Sequence, residues 1–250
     1  MNKVERAIIL AAGKGERMLP LTKSTPKPLI EVLGQPIIEH TIEILHQKNI
    51  FEIYVVVGYL SENFNYLSEK YNVTLVKNPL YNECNNISSM FFAKDYLKNA
   101  VVLDGDIWIQ DDDIIKNYFD CSGYTSIWTS TPTREWLQQT DDKDFVTSCS
   151  RTGGESGWIL YSISYWTKDD AAKLSQDIHT EFVENKNTSI YWDDVAMFCY
   201  PQEFELTIYP INKKDIIEID NFEELLDVRD NLSQPIKYYN ITYKYVEVYL

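Results

Sequence analysis

Residues 7–36 read AIILAAGKGERMLPLTKSTPKPLIEVLGQP. The first five are apolar and end in small residues, as in a strand buried on both faces. A Gly/Pro-rich stretch then runs to Pro36. Small residues at Ala11, Ala12, Gly13 and Gly15 let backbone N–H groups come close to a ligand. Successive N–H groups in such a turn form a nest for an anion. Arg17 and Lys27 fix two cations nearby. Residues 1–30 hold six Lys+Arg against two Asp+Glu, in a chain whose net charge is −15. A positive, backbone-rich loop at the carboxyl end of a first strand suits a triphosphate. A Walker A loop would need Ser or Thr where this chain has Gly15 after Lys14. The dinucleotide fingerprint would need a third Gly where Met18 stands.

Outward from this loop, elements alternate. Residues 37–49 carry a helical apolar stripe at 37, 38, 41, 42, 44 and 45. Residues 53–57 form a second apolar strand closed by Gly58. Ser61 is placed to cap a helix over 62–71. A strand at 73–76, a helix at 87–98 and a strand opening at 101–103 follow. This β-α-β-α-β order predicts an α/β fold, with a Rossmann-like, mostly parallel sheet covered by helices on both faces. The second half is less regular. Strands are expected at 123–129, 157–165 and 205–209, and helices at 168–184 and 221–230, the last capped by Asn221. The tail IKYYNITYKYVEVYL carries five Tyr and reads as an edge strand or a subunit contact. The simplest organisation is one domain over 1–250. Residues 1–130 would bind the nucleotide, 131–230 would bind an acceptor, and 231–250 would be a C-terminal tail.

Composition bounds the function. The chain has 250 residues, 44% hydrophobic and 14% aromatic, with 38 Asp+Glu against 23 Lys+Arg. That is long enough to bury its own core. The negative charge argues against nucleic-acid backbones and anionic membranes as partners. No apolar stretch reaches the length of a membrane span, and the apolar run near the N-terminus is too short for a secretory signal. A cytoplasmic protein is expected. The four Cys are widely spaced, with no C-x-x-C pair, and read as reduced thiols. Oligomeric state is left open, a homodimer being one option.

Two groups of acids carry chemistry. Leu103-Asp104-Gly105-Asp106 ends a strand in the same sheet. Two Asp flanking a Gly there can set hard oxygen ligands beside a nucleotide, suiting Mg²⁺, and apolar Val101 to Leu103 deliver Asp106 to the sheet edge. A second carboxylate should come from a distant segment, and Ile217-Glu218-Ile219-Asp220 alternates and ends in an acid. Elsewhere, Glu135-Trp136 and Tyr191-Trp192-Asp193-Asp194 set aromatic faces beside acids, a combination that binds ammonium groups by cation–π attraction. Core packing is the alternative for each aromatic. Asn85-Asn86-Ile87-Ser88 can offer amide and hydroxyl contacts to a pyrimidine edge, or simply start a helix.

The pattern L-A-A-G-x-G-x-R-M-x-P-L-T-x-x-x-P-K-P-L, residues 10–29, resembles the signature of nucleotidyltransferases that activate phosphorylated sugars and alcohols. Along almost the whole chain the sequence is similar to small bacterial choline-phosphate cytidylyltransferases. VVVGYLSENFNYLSEKYNVTLVKNPLYNECNNISSM (55–90), LDGD, REW, YWDD and EID carry that likeness. The resemblance implies transfer of CMP from CTP to a small phosphorylated amine or amino-acid-like acceptor, of the phosphocholine or glutamine phosphate type. Pyrophosphate would be released, and the product would serve cell-surface or capsule decoration. It implies Mg²⁺ on Asp106 and Asp220, with Glu218 and Asp193 as further candidates. Lys27 would hold the α-phosphate and the acceptor phosphate, and Arg17 the β/γ end. Leu10, Ala11, Ala12 and Gly13, with Asn86, Ser88 and Asp104, would complete the nucleotide site. Trp136, Tyr191 and Asp193 would surround the acceptor head, beside Glu135 and Trp192. Tyr161 stands where a small residue is usual. A sugar-1-phosphate nucleotidyltransferase is the main rival. A GT-A glycosyltransferase also fits Asp104-Gly105-Asp106, but would not need Arg17 and Lys27 in a glycine loop.

Overall fold

The apolar run after Arg6 becomes the central strand β1 (Arg6–Ala11), and its successive residues serve opposite faces of the sheet. Ile9 enters a core with α1 (Ile37–Gln47) and α2 (Asn65–Tyr71), while Ile8 and Leu10 enter a second core with α3 (Ile87–Ala93). This two-sided burial is why the strand is continuously apolar. In chain order the remaining strands of the first half are β2 (Glu52–Val57), β3 (Thr74–Lys77), β4 (Ala100–Asp104) and β5 (Ile107–Ile109). The structure, a computed structural model, describes residues 1–232. The tail expected to form an edge strand or a subunit contact therefore lies, beyond residue 232, outside the described residues.

Strands β3, β2, β1 and β4 lie side by side, all parallel, with Ala7 opposite both Ile53 and Val101. From β1 the chain proceeds to one side through β2 and β3, then returns to the other side as β4. The loops leaving β1 and β4 diverge there and open a crevice at the carboxyl ends, where ligands of open α/β sheets bind. The glycine loop and Asp104-Gly105-Asp106 are those two loops.

The second half extends the same sheet. Its strands are β6 (Gly123–Thr129), β7 (Leu137–Thr140), β8 (Val146–Ser150), β9 (Gly157–Trp166), β10 (Thr207–Pro210) and β11 (Ile216–Glu218). Strand β9 runs antiparallel to β4, with Ile163 opposite Leu103, and it carries both β6 and the β7–β8 hairpin. Helix α4 (Lys168–His179) joins α3 on one face through Leu174 and Ile178. The parallel α/β core is thus as expected, with antiparallel strands widening one edge.

Several details differ from the sequence reading. The helix expected over 168–184 is α only to His179 and continues as a π turn over Thr180–Glu184, and the strand expected at 205–209 runs Thr207–Pro210. Ser61 caps nothing with its side chain; a 3₁₀ turn over Ser61–Phe64 leads into α2 instead. Helix α3 stops at Ala93 and tightens into a 3₁₀ turn over Lys94–Tyr96, rather than running to residue 98. Asn221 does cap α5 (Phe222–Leu232): its Oδ1 accepts from Glu224 N at 2.9 Å, and Glu224 Oε2 accepts from Asn221 N at 3.2 Å, a reciprocal capping box. The four cysteines are free thiols. No helix of the described residues is long and apolar enough to cross a membrane.

Candidate active site

The chain leaves β1 through Ala12 and turns at Gly15, whose φ is +62°. A side chain there would be strained and would come within 3.0 Å of both Lys27 Cβ and Thr22 Cγ2. Thr22 Oγ1 donates to Gly15 O at 2.9 Å and the Tyr59 hydroxyl donates to Thr22 O at 2.9 Å, so the loop is braced from behind. A cavity of about 400 Å³ opens on its front. Leu10, Ala11, Gly13, Gly15, Glu16, Arg17, Lys27, Pro28, Asp106 and Asp220 line it.

The acids arrive from both ends of the sequence. Gly105 lets the turn after β4 sit against the glycine loop: its N–H donates to Leu10 O at 2.9 Å, and a Cβ would come within 3.0 Å of that same oxygen. Strand β11 pairs antiparallel with β5, Glu218 opposite Ile107, and Ile219 N donates to Asp106 O at 3.1 Å. That pairing sets Asp220 beside Asp106 across 114 residues of chain. Beneath it Met18, Ile37, Trp108, Ile219 and Leu225 form a separate apolar cluster that ties α5 to the glycine loop.

Lys27 is buried, and its Nζ donates to Asp106 Oδ2 at 2.7 Å and to Asp220 Oδ1 at 2.8 Å. Burial alone would lower the pKa of this ammonium; the charges and hydrogen bonds of Asp106 and Asp220 more than reverse that and leave it raised. Arg17 Nη2 donates to Asp220 Oδ1 at 2.7 Å from an exposed position. Asp106, Glu218 and Asp220 each offer a carboxylate oxygen, all within 4.8 Å of one another. Asp106 Oδ1 is buried without a hydrogen-bond partner among the described residues. A set of hard oxygens, one of them unsatisfied, fits a divalent cation such as Mg²⁺. Desolvation, reinforced by the charges of Asp106 and Asp220, raises Glu218 to about 7.

A second cavity, of about 250 Å³, lies on the other side of Glu218. Val102, Tyr124, Ser164 and Trp192 are its most buried walls and form the floor, and Glu135 and Tyr191 stand exposed at the rim. Trp136 and Tyr161 line it between, and Asp104, Asp193 and Glu218 bring carboxylates. Trp136 packs edge-on to Tyr191 and Phe198, with ring centroids 5.8 and 5.2 Å apart. Arg151 lies over the Phe198 ring at 3.6 Å and its Nε donates to Asp194 Oδ1 at 2.6 Å, while Asp194 Oδ2 accepts from Tyr191 N at 2.8 Å. Desolvation raises Asp193 to about 7. It also raises Asp104 well above the usual range, helped by the charges of Asp106, Asp193 and Glu218.

The expected residues sort between these cavities with four displacements. Asp104, assigned to the nucleotide, faces the aromatic–acid cavity, because only Asp106 follows the turn at Gly105 toward the loop. Ala12 is absent from the loop cavity's lining; its carbonyl accepts from Tyr59 N at 3.0 Å. Ser88 is fully buried, donating to Asn85 O at 2.8 Å and accepting from Asn78 Nδ2 at 2.9 Å, so its hydroxyl is spent on the start of α3. Asn86 Oδ1 accepts from Trp192 N at 2.9 Å, which fixes the loop beneath the second cavity. Tyr124 and Ser164 went unremarked in the sequence. Both sit in ordinary strand patterns, and only the pairing of β9 with β4 and β6 turns them toward the site.

A glycine loop with two cations, facing three carboxylates at the crevice of an α/β sheet, is a site of the nucleotidyl-transfer class. The Nucleotidyl transferase family profile matches residues 6–120. The 2-aminoethylphosphonate cytidylyltransferase of Lancefieldella rimae is 39% identical over 222 residues, covering 88% of this chain and 89% of its own. The choline-phosphate cytidylyltransferase of Streptococcus pneumoniae is 34% identical over 219 residues, 88% of this chain and 94% of its own. A solved structure of the CTP:phosphocholine cytidylyltransferase from Streptococcus pneumoniae superposes with a TM-score of 0.85, covering 91% of this chain and 99% of that one. The chain belongs to the nucleotidyl transferase family and is a nucleotidyltransferase.

Proposed function

We propose that the enzyme transfers CMP from CTP to a small phosphorylated amine, releasing pyrophosphate. The observation that carries this reading is the shared wall: Glu218 lines the aromatic–acid cavity and also clusters with Asp106 and Asp220 of the loop cavity. A triphosphate over the glycine loop and an amine head against Trp136 then meet at the acids. The curated relatives that cover most of this chain are cytidylyltransferases, which supports CTP as the donor. Residues 1–130 would carry most of the donor site, and 131–230 most of the acceptor site.

In this reading the acceptor's phosphorus-bound oxygen attacks the α-phosphorus of CTP in line, and the bond to the β-phosphate oxygen breaks. The chain's work is positioning and charge neutralisation. Backbone N–H groups of the glycine loop hold the triphosphate. Lys27 leaves its two carboxylates for the α-phosphate and the incoming acceptor oxygen. Arg17, on the exposed side of Asp220, meets the β and γ end. Asp106 and Asp220, with Glu218 beside them, would hold Mg²⁺, which supplies Lewis-acid neutralisation of phosphate charge when bound. Trp136, Tyr191 and Asp193 orient the acceptor head, with Glu135 and Trp192 beside them.

Pyrophosphate release across CTP, UTP and dTTP, each against phosphocholine, phosphoethanolamine, glutamine phosphate and glucose 1-phosphate, tests this. CTP with an amine acceptor is expected to give the highest kcat/KM. A preference for glucose 1-phosphate would show the amine reading wrong. Trp136→Ala is expected to raise acceptor KM about tenfold, the loss of one desolvated cation–π face, while CTP KM stays within twofold. An equal loss for both substrates would return Trp136 to a packing role. Arg151→Ala releases the Asp194 ring of contacts that holds Tyr191, and is expected to raise acceptor KM roughly fivefold with little change in kcat. A fall in kcat with KM unchanged would contradict that positioning role.

A further inference from the structure

At the floor of the aromatic–acid cavity one buried hydroxyl makes no well-formed hydrogen bond among the described residues. It belongs to Tyr124, a residue 1% exposed. The Asp193 carboxylate is the acceptor toward which the hydroxyl can donate, and both residues line the cavity. With its proton directed to Asp193, the Tyr124 oxygen is still able to accept, and on a ligand-binding wall that donor can arrive with the ligand. The lining adds Asp104, Glu135 and Glu218 and, among the described residues, includes no Lys or Arg.

This lining discriminates among charged heads. A quaternary ammonium would be content with the faces of Trp136 and Tyr161, but it has no N–H to offer Tyr124 or the carboxylates. An amino-acid head would bring a carboxylate to a wall without a cation. A primary ammonium carries three donors on a compact, strongly hydrated charge, so it needs acceptors in place of the water it sheds. The cavity supplies them: the Tyr124 oxygen and the Asp193 carboxylate at the floor, and Glu135 at the rim.

We propose that Tyr124 and Asp193 make this site selective for acceptors ending in a primary ammonium, with Tyr124 the residue that rejects N-methylated heads. The proposal rests on the reading of this cavity as the acceptor site. The shared chemistry is a 2-aminoethyl group on phosphorus, as a phosphate ester or a phosphonate.

The test is a methylation series with the full chain and saturating CTP, read by pyrophosphate release. Its arms are phosphoethanolamine, the N-methyl and N,N-dimethyl derivatives and phosphocholine, with 2-aminoethylphosphonate to separate ester from phosphonate. Wild type is expected to lose kcat/KM at each methylation, about thirtyfold in all, because each methyl removes a donor from a buried acceptor set. Tyr124→Phe keeps the ring and removes the oxygen. It is expected to lower kcat/KM for phosphoethanolamine about tenfold, to leave phosphocholine and the CTP KM within twofold, and so to shrink the ratio. Asp193→Asn is expected to weaken every ammonium acceptor. Equal or better turnover of phosphocholine by wild type overturns the proposal, as does an unchanged ratio in Tyr124→Phe. No turnover of any amine acceptor, alongside turnover of glucose 1-phosphate, overturns the acceptor reading as well, so the two failures are distinct.

Discussion

Lys27→Ala is expected to lower kcat by about a hundredfold or more, on the order of 3 kcal/mol of transition-state charge stabilisation. The geometry explains why the effect falls on turnover rather than on nucleotide affinity. Lys27 is held in a buried position between Asp106 and Asp220, at 2.7 and 2.8 Å. In the resting protein its charge is already neutralised by those two acids, so moving it to the phosphates adds little net binding. It matters when negative charge shifts at the α-phosphorus, because it is then, among the described residues, the buried ammonium beside the reacting group. Lys27→Arg is not expected to rescue, since a planar, delocalised guanidinium does not reproduce the compact ammonium held between Asp106 and Asp220. Steady-state kinetics with CTP titration check this. Reduced CTP affinity with intact turnover would assign Lys27 to ground-state binding alone.

The second large effect is expected at the carboxylates. Asp106→Asn and Asp220→Asn should each cost about a thousandfold in kcat, or ~4 kcal/mol, by losing the charge that holds a divalent cation against the phosphates. Asp220→Asn should also raise CTP KM, which Asp106→Asn should do less. The reason is that Asp220 anchors both Arg17 and Lys27, whereas Asp106 anchors Lys27 alone. Glu218→Gln should lose only about tenfold, since among the described residues Glu218, unlike Asp106 and Asp220, forms no ion pair with Lys27 or Arg17. Mg²⁺ titrations of activity, with thermal melts to confirm folding, separate the three variants. Full activity in Asp220→Asn would move the second ligand elsewhere.

These expectations differ in how far the sequence alone supports them. The run at residues 7–11 and the loop after it are local: an apolar strand buried on both faces, a left-handed turn and a cation cluster are all dictated by neighbours in the chain. Asp106 was readable for the same reason, standing just past an apolar strand. The aromatic–acid pairs at 135–136 and 191–193 stand out in the sequence, and the fold brings them to one cavity, while the likeness of residues 10–29 to nucleotidyltransferases points to the reaction class.

What residues 7–36 and 101–106 determined by themselves is the α/β core, the crevice at the ends of β1 and β4, and the glycine-rich, cationic character of the loop. Strand propensity, turn chemistry and charge act over a few residues and leave a pattern in sequence. What only the tertiary structure decided is who meets whom there. Asp220 reaches Asp106 through the β11–β5 pairing, and that same pairing clusters Glu218 with them. Asp104 turns away from the loop while Asp106 turns toward it. Ser88 and Asn86 spend their polar atoms on α3 and on the loop before Trp192. Tyr124 becomes the floor of a cavity because β6 packs beside β9, and β9 beside β4. Each of these contacts joins residues remote in the chain. Their selection depends on sheet register and on competition for hydrogen bonds, and neither leaves a mark on the sequence around any one of them.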